Sequence, residues 1–182
     1  QARECATRVT MIDPNIRPGF IAGKEAPYRA RIEGMIARAD IVKLSDEDLH
    51  WLYGDAPADD LARTILSKGP KVVFITEGAA GARAITATQN RFVAAQKVTV
   101  ADTVGAGDTF NAGALTSLHE AGALTKARLA ALTDAELDAA NDDWEAERLQ
   151  LRDLSLVEPL TVGYHAARRG RVAGRPAHRT TG

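Results

Sequence analysis

Residues Asp102 to Gly113, reading Asp-Thr-Val-Gly-Ala-Gly-Asp-Thr-Phe-Asn-Ala-Gly, set a carboxylate beside a run of small residues. A β-branched run, Val98-Thr99-Val100, leads into that turn, and an apolar helical stretch from Asp108 to about Glu120 leads out of it. This order puts Gly105, Ala106 and Gly107 at a helix N-terminus. Free backbone N–H groups and the positive end of the helix dipole make such a place an anion site. Small residues let the backbone itself approach a phosphate. Asp108 then stands where a second negative charge would repel the anion. The pairing makes chemical sense if Asp108 takes a proton from a hydroxyl that attacks a phosphoryl group held by Gly105–Gly107. The chemistry indicated is phosphoryl transfer. Asp108 as an ordinary helix N-cap and the glycines as a tight turn are the plainer explanations of the same residues.

The surrounding elements alternate in a way that would position such a site. Arg8 to Ile12 reads as a strand ending at Asp13-Pro14, since proline removes a ladder donor. Pro27 suits a helix start, and Ile32, Met35 and Ile36 give that helix an apolar face to about Ala39. Ile41 to Leu44 is a second strand. Ser45 with Asp48 three residues on resembles a capping box for a helix carrying Leu49 and Leu52. Asp59 to Lys68 is another helix, stopped at Gly69-Pro70. Lys71 to Thr76 reads as a fully buried strand, and Ala82–Thr86 with Arg91–Ala95 as a hairpin. The pattern predicts an α/β sheet covered by helices. Asn15 and Arg17 follow a strand and could face the cleft, where a guanidinium suits phosphate or sugar hydroxyls. A surface turn fixed by Pro14 and Pro18 explains them equally.

Four segments occur in an order that resembles one known family. They are Ile12-Asp13-Pro14-Asn15-Ile16-Arg17-Pro18, Ala39-Asp40-Ile41-Val42-Lys43-Leu44-Ser45, Val73-Phe74-Ile75-Thr76-Glu77-Gly78 and the Gly105-Ala106-Gly107-Asp108 core. Together they resemble the PfkB/ribokinase-type carbohydrate kinases over residues 8 to 135, and within that family the bacterial fructokinases. The resemblance implies the C-terminal part of a ribokinase-like sheet flanked by helices, with the N-terminal half and its lid absent. It implies ATP and a sugar as partners, Mg²⁺ as cofactor, and Asp108 as the base that deprotonates the sugar hydroxyl. On the same basis Lys43, Thr76, Glu77, Gly78 and Gly81 would lie along the nucleotide, and Asp48 would organise Mg²⁺ through water. Asp102, with Thr103 and Val104, would hold a monovalent cation. Where the family has Asn-x-x-Glu, this chain has Ser45 and Asp48, a shorter reach with the charge kept. Fructose converted to fructose 6-phosphate is the expected reaction, with little activity from this chain by itself and a homodimer at full length. A 2-keto-3-deoxygluconate or other sugar kinase and a nucleotide-binding remnant without catalysis remain open alternatives.

Other classes fall away on composition. The chain has 182 residues, a formal net charge of −1 and 26% charged side chains, so no charge excess argues for nucleic-acid or membrane partners. Cys5 alone permits no intrachain disulfide and suits a reducing, cytoplasmic setting. No Gly-x-x-x-x-Gly-Lys-Ser/Thr is present, and Phe110 stands where a dinucleotide fingerprint would need its third glycine. After residues 1–132 the character changes. Residues 133–160 carry nine acidic and two basic side chains, and Thr133 with Glu136 predicts a capped helix to Leu149. Residues 161–182 carry five arginines and no acidic residue, a pattern expected of a disordered tail or of a changed reading frame.

Overall fold

A computed structural model describes residues 8–95 and 105–140. Five strands form one sheet in the order β1-β2-β3-β4-β5: β1 (Met11–Ile12), β2 (Ile41–Ser45), β3 (Val72–Thr76), β4 (Gly81–Ile85) and β5 (Asn90–Ala94). The first three are parallel, with Met11 opposite Ile41 and Ser45 opposite Thr76. β3, β4 and β5 run antiparallel, Phe74 opposite Ala84 and Ala84 opposite Arg91. Helices α1 (Glu25–Ile36), α2 (Asp46–Tyr53) and α3 (Ala58–Leu66) make the crossovers between the parallel strands, and α4 (Ala106–Glu120) and α5 (Lys126–Leu129) follow the hairpin. Parallel strands need such crossovers, and burial on both faces follows from them.

The period of two along each strand sorts the core into two layers. Val42, Leu44, Val73, Ile75 and Ile85 face α1, α2 and α3 through Ile32, Ile36, Leu49, Leu52, Leu61 and Ile65. Ile41, Val72, Phe74, Ala82 and Ala84 face α4 and α5 through Phe110, Ala114, Leu118 and Leu129. Lys43 lies on β2 between Val42 and Leu44, so its side chain leaves the sheet on the α4 side. This one alternation decides where its ammonium goes.

The expected strand from Arg8 shortens to Met11–Ile12 because Asp40 competes for its backbone. Thr10 N donates to Asp40 Oδ2 at 2.8 Å, while Asp40 N and Ile41 N both donate to Thr10 O. The predicted caps form. Ser45 Oγ accepts from Asp48 N at 3.1 Å, and Thr133 Oγ1 accepts from Glu136 N at 3.3 Å while Glu136 Oε2 accepts from Thr133 N at 2.8 Å. Residues 134–140 are helical as expected, and the rest of that predicted helix lies outside the described residues. The short α5 was not legible in the pattern; Thr125 Oγ1 caps it by accepting from Arg128 N at 3.2 Å. The Arg-rich 161–182 segment also lies outside the described residues.

Candidate active site

The candidate residues gather where the parallel strands end and α4 begins. Asp13 follows β1, Ser45 ends β2 with Asp48 in the helix after it, and Thr76 ends β3 with Glu77 just beyond. Open α/β sheets present ligands at these carboxyl ends. Gly105 caps α4 in the left-handed region, with φ 77° and ψ −3°, a conformation that suits glycine. Ala106, Gly107 and Asp108 form its first turn, whose N–H groups have no intrahelical carbonyl to reach.

The deciding contacts are made by Lys43. Its side chain is 6% exposed, and Nζ donates to Asp13 Oδ2 at 3.1 Å. A Cβ at Gly107 would stand 3.0 Å from that Nζ and 3.7 Å from Asp13 Oδ2. Glycine at 107 is therefore what lets the ammonium lie against the first turn of α4. Asn111, four residues on and so on the same helix face, donates from Nδ2 to Asp13 Oδ2 at 2.9 Å. Asp13 Oδ1 and Asn111 Oδ1 are both buried without a hydrogen-bond partner among the described residues.

Asp48 is buried at 7% exposure, and its Oδ1 accepts from Ile16 N at 3.1 Å. Burial pushes its carboxyl above the ordinary range, and the nearby Asp13 charge adds to this. Bonds from Ile16 and Ser45 and the Lys43 charge act in the opposite direction. A carboxyl kept in such a place despite the desolvation is a functional candidate on physical grounds. Among the described residues, no three His, Cys, Asp or Glu side chains converge as a metal cage. The donors that face this region are hard oxygens, namely the Asp48 carboxyl and the unpaired Asp13 Oδ1. They suit a Mg²⁺ that keeps most of its water.

Other candidates sit differently. Asp108 is exposed in the first turn of α4, open to an incoming hydroxyl. Thr76 Oγ1 donates to Leu44 O at 3.5 Å, tying the ends of β2 and β3 together. Glu77 accepts from Arg83, which also reaches Asp59 at 3.4 Å, so Arg83 on β4 ties the Glu77 turn to α3. Gly78 has φ 54°, and Gly81 has φ 137°. A Cβ at Gly81 would stand 2.0 Å from Val93 O, so close packing against β5 accounts for that glycine. Asn15 is exposed with φ 44°, and exposed Arg17 donates from Nη1 to Ile16 O at 3.1 Å. Ile16, between them, is buried and held by Asp48, so the loop is anchored at its centre while both candidate side chains point outward. Asp102 lies outside the described residues. Asp13 and Asn111 were not singled out by sequence reasoning. An aspartate directly after a strand was the available signal for Asp13, but its meaning depends on α4 packing opposite.

The family model that matches residues 1–137 is that of the pfkB family carbohydrate kinases. The chain belongs to this family. It is similar to a fructokinase of Rhizobium leguminosarum bv. trifolii, 47% identical over 150 residues, covering 82% of this chain and 46% of that relative. A Klebsiella pneumoniae fructokinase is 36% identical over 107 residues, 58% of this chain and 34% of the relative. Among solved structures, aminoimidazole riboside kinase from Salmonella enterica superposes with a TM-score of 0.61 at 29% identity, covering 75% of this chain and 43% of that one. A Vibrio cholerae fructokinase bound to fructose, ADP and calcium gives 0.60 at 28%, covering 74% and 42%. The chain thus spans less than half the length of these relatives. The ribokinase-like sheet expected from sequence is the sheet observed, and no helix among the described residues is long and apolar enough to cross a membrane.

Proposed function

We infer that this chain carries the phosphoryl-handling part of an ATP-dependent sugar kinase that forms fructose 6-phosphate from fructose. The supporting observation is the buried Lys43 ammonium packed against the first turn of α4. A cation is disfavoured at a helix N-terminus and in a desolvated site. An anionic phosphoryl group that touches both the ammonium and the first-turn N–H groups relieves both penalties. The fructokinase relatives direct the choice of sugar.

In this mechanism the γ-phosphoryl of ATP rests on the N–H groups of the Gly105–Gly107 turn, with Lys43 alongside. The turn after β3, at Thr76, Glu77 and Gly78, runs along the nucleotide, and Gly81 shapes that turn. Asp108 orients the sugar hydroxyl and accepts its proton as the oxygen attacks in line. The N–H groups neutralise charge that builds on the equatorial oxygens. Mg²⁺, organised through water by Asp48, supplies charge neutralisation on the nucleotide phosphates when bound. Asn15 and Arg17 are placed on the loop after β1, where a guanidinium could reach sugar or phosphate. A monovalent cation at Asp102 and a full-length homodimer belong to the same reading.

The test is sugar-dependent ADP formation, measured on the 182-residue chain and on the chain joined to the N-terminal half of the Rhizobium fructokinase. Fructose, ribose, glucose and 2-keto-3-deoxygluconate serve as acceptors. Fructose-dependent turnover in the joined protein, reduced about 10²–10⁴-fold by Asp108→Ala, is the expected result. In the joined protein, turnover indifferent to Asp108→Ala, or ATP binding without any sugar-dependent turnover, refutes the catalytic assignment.

A further inference from the structure

We propose that Asp13 is a positioning residue that holds the Lys43 ammonium against the first turn of α4, with Asn111 fixing Asp13 in turn. This rests on the phosphoryl-transfer reading above and names residues that set its geometry. The contacts form a chain of three. Lys43 Nζ donates to Asp13 Oδ2 at 3.1 Å, and Asn111 Nδ2 donates to the same oxygen at 2.9 Å. Both donors on one oxygen fix the carboxylate from two elements, β2 and α4.

The energetics favour a dedicated role over a chance ion pair. The Lys43 side chain is 6% exposed and that of Asp13 is 17% exposed, so water screens the pair weakly. With Asp13 removed, a buried ammonium would face the positive end of α4 with no carboxylate in ion-pair contact among the described residues, the Asp48 charge acting on it only from further off. The side chain would then turn toward solvent. Asp13 keeps it in place, and Gly107 keeps the space open, since a Cβ there would come within 3.0 Å of Nζ. One N–H of the ammonium is committed to Asp13, which leaves two for an incoming phosphoryl oxygen. Asp13 therefore acts through Lys43 and needs no contact with ATP.

The experiment is a double-mutant cycle on Mg·ATP binding by the 182-residue chain, followed by titration calorimetry. The proteins are wild type, Asp13→Asn, Lys43→Met and the double variant, with thermal melts of each. Asp13→Asn keeps the side-chain volume and is expected to weaken binding about tenfold, the size of one lost charge-assisted hydrogen bond. In the Lys43→Met background the same change is expected to have no effect on binding. Asn111→Ala, which frees Asp13 without removing a charge, is expected to weaken binding less than Asp13→Asn does. It serves as the second probe should Asp13→Asn melt early.

Unchanged binding in Asp13→Asn, or an equal loss with and without Lys43, overturns the positioning role. The second of these outcomes would mean that Asp13 acts on the ligand or its metal directly. Absence of saturable Mg·ATP binding by the wild-type chain sinks the reading of Lys43 and the Gly105–Gly107 turn as a phosphate site, and this inference with it. Binding that survives while Asp108→Ala leaves turnover intact sinks the catalytic assignment but leaves the Asp13–Lys43 coupling standing.

Discussion

Replacing Phe110 by alanine should separate the stability of α4 from the chemistry proposed for its first turn. Phe110 is fully buried and meets Phe74 edge-to-face at 5.5 Å between ring centroids. Phe74 comes from β3, a strand paired on both sides, and the neighbouring helix residue in the same layer is the small Ala114. Neither can move far into the space a missing ring leaves. Phe-to-Ala changes cost about 3–5 kcal/mol, and a site that resists collapse falls in the upper half of that range. The ring pair accounts for about 0.5–1.5 kcal/mol of it. We expect a loss of about 4 kcal/mol, large beside the ~5–15 kcal/mol that hold a domain folded. For a chain of this size that is a fall in Tm of about 8–16 °C. Asp108→Ala, two residues away and exposed, should change stability by no more than about 1 kcal/mol, the contribution of an acidic side chain in a first helical turn. Urea unfolding followed by circular dichroism measures both. A loss below about 1 kcal/mol for Phe110→Ala would show that α4 is not docked through this ring. Equal losses for the two variants would show that Asp108 is a structural cap.

Two further outcomes follow from other contacts. Asp40 accepts from Lys126 Nζ at 2.8 Å and from Thr10 Oγ1 at 3.0 Å. Burial pushes its carboxyl up, but Lys126 and the two Thr10 donors outweigh this and hold it below the ordinary value of 3.8. A carboxyl depressed in the folded state stabilises above its unfolded pKa, and that stability is lost as pH falls through the folded one. Asp40→Asn should therefore cost about 2 kcal/mol at pH 7, with the gap to wild type closing below about pH 4 in urea titrations; a gap independent of pH contradicts this. Gly81→Ala should cost about 2–4 kcal/mol, because its Cβ would meet Val93 O at 2.0 Å from a backbone with φ 137°. Hydrogen exchange should show the β5 amides opening first, and unchanged protection there would refute the close approach.

The order of strands and helices was legible because apolar period and turn chemistry are local properties. Ser45 and Thr133 announced their helices through a residue three positions on, and Gly69-Pro70 marked the stop before β3. The Gly105–Asp108 turn was legible for the same reason, since a helix start after a small-residue turn needs no distant partner. Strand limits were less accessible. Thr10 leaves the ladder only because Asp40, thirty residues away, offers its backbone a side-chain acceptor. Gly81 and Glu77 matched a nucleotide turn by type, yet their contacts to Val93 and Arg83 give each a packing reason as well.

By itself the sequence determined an α/β sheet and a family, and set a carboxylate beside a small-residue turn at a helix start, since each rests on residues close together in the chain. Only the tertiary structure decided which charges meet that turn. Lys43 and Asn111 lie 30 and 98 residues from Asp13 in sequence. They converge because parallel pairing aligns the ends of β1 and β2, and because side chains alternate along β2, turning Lys43 toward α4. Packing of α4 on that face then sets its first turn against the ammonium. The sequence can name a lysine on a strand, but which face it leaves by, and what waits there, follow from long-range pairing and packing.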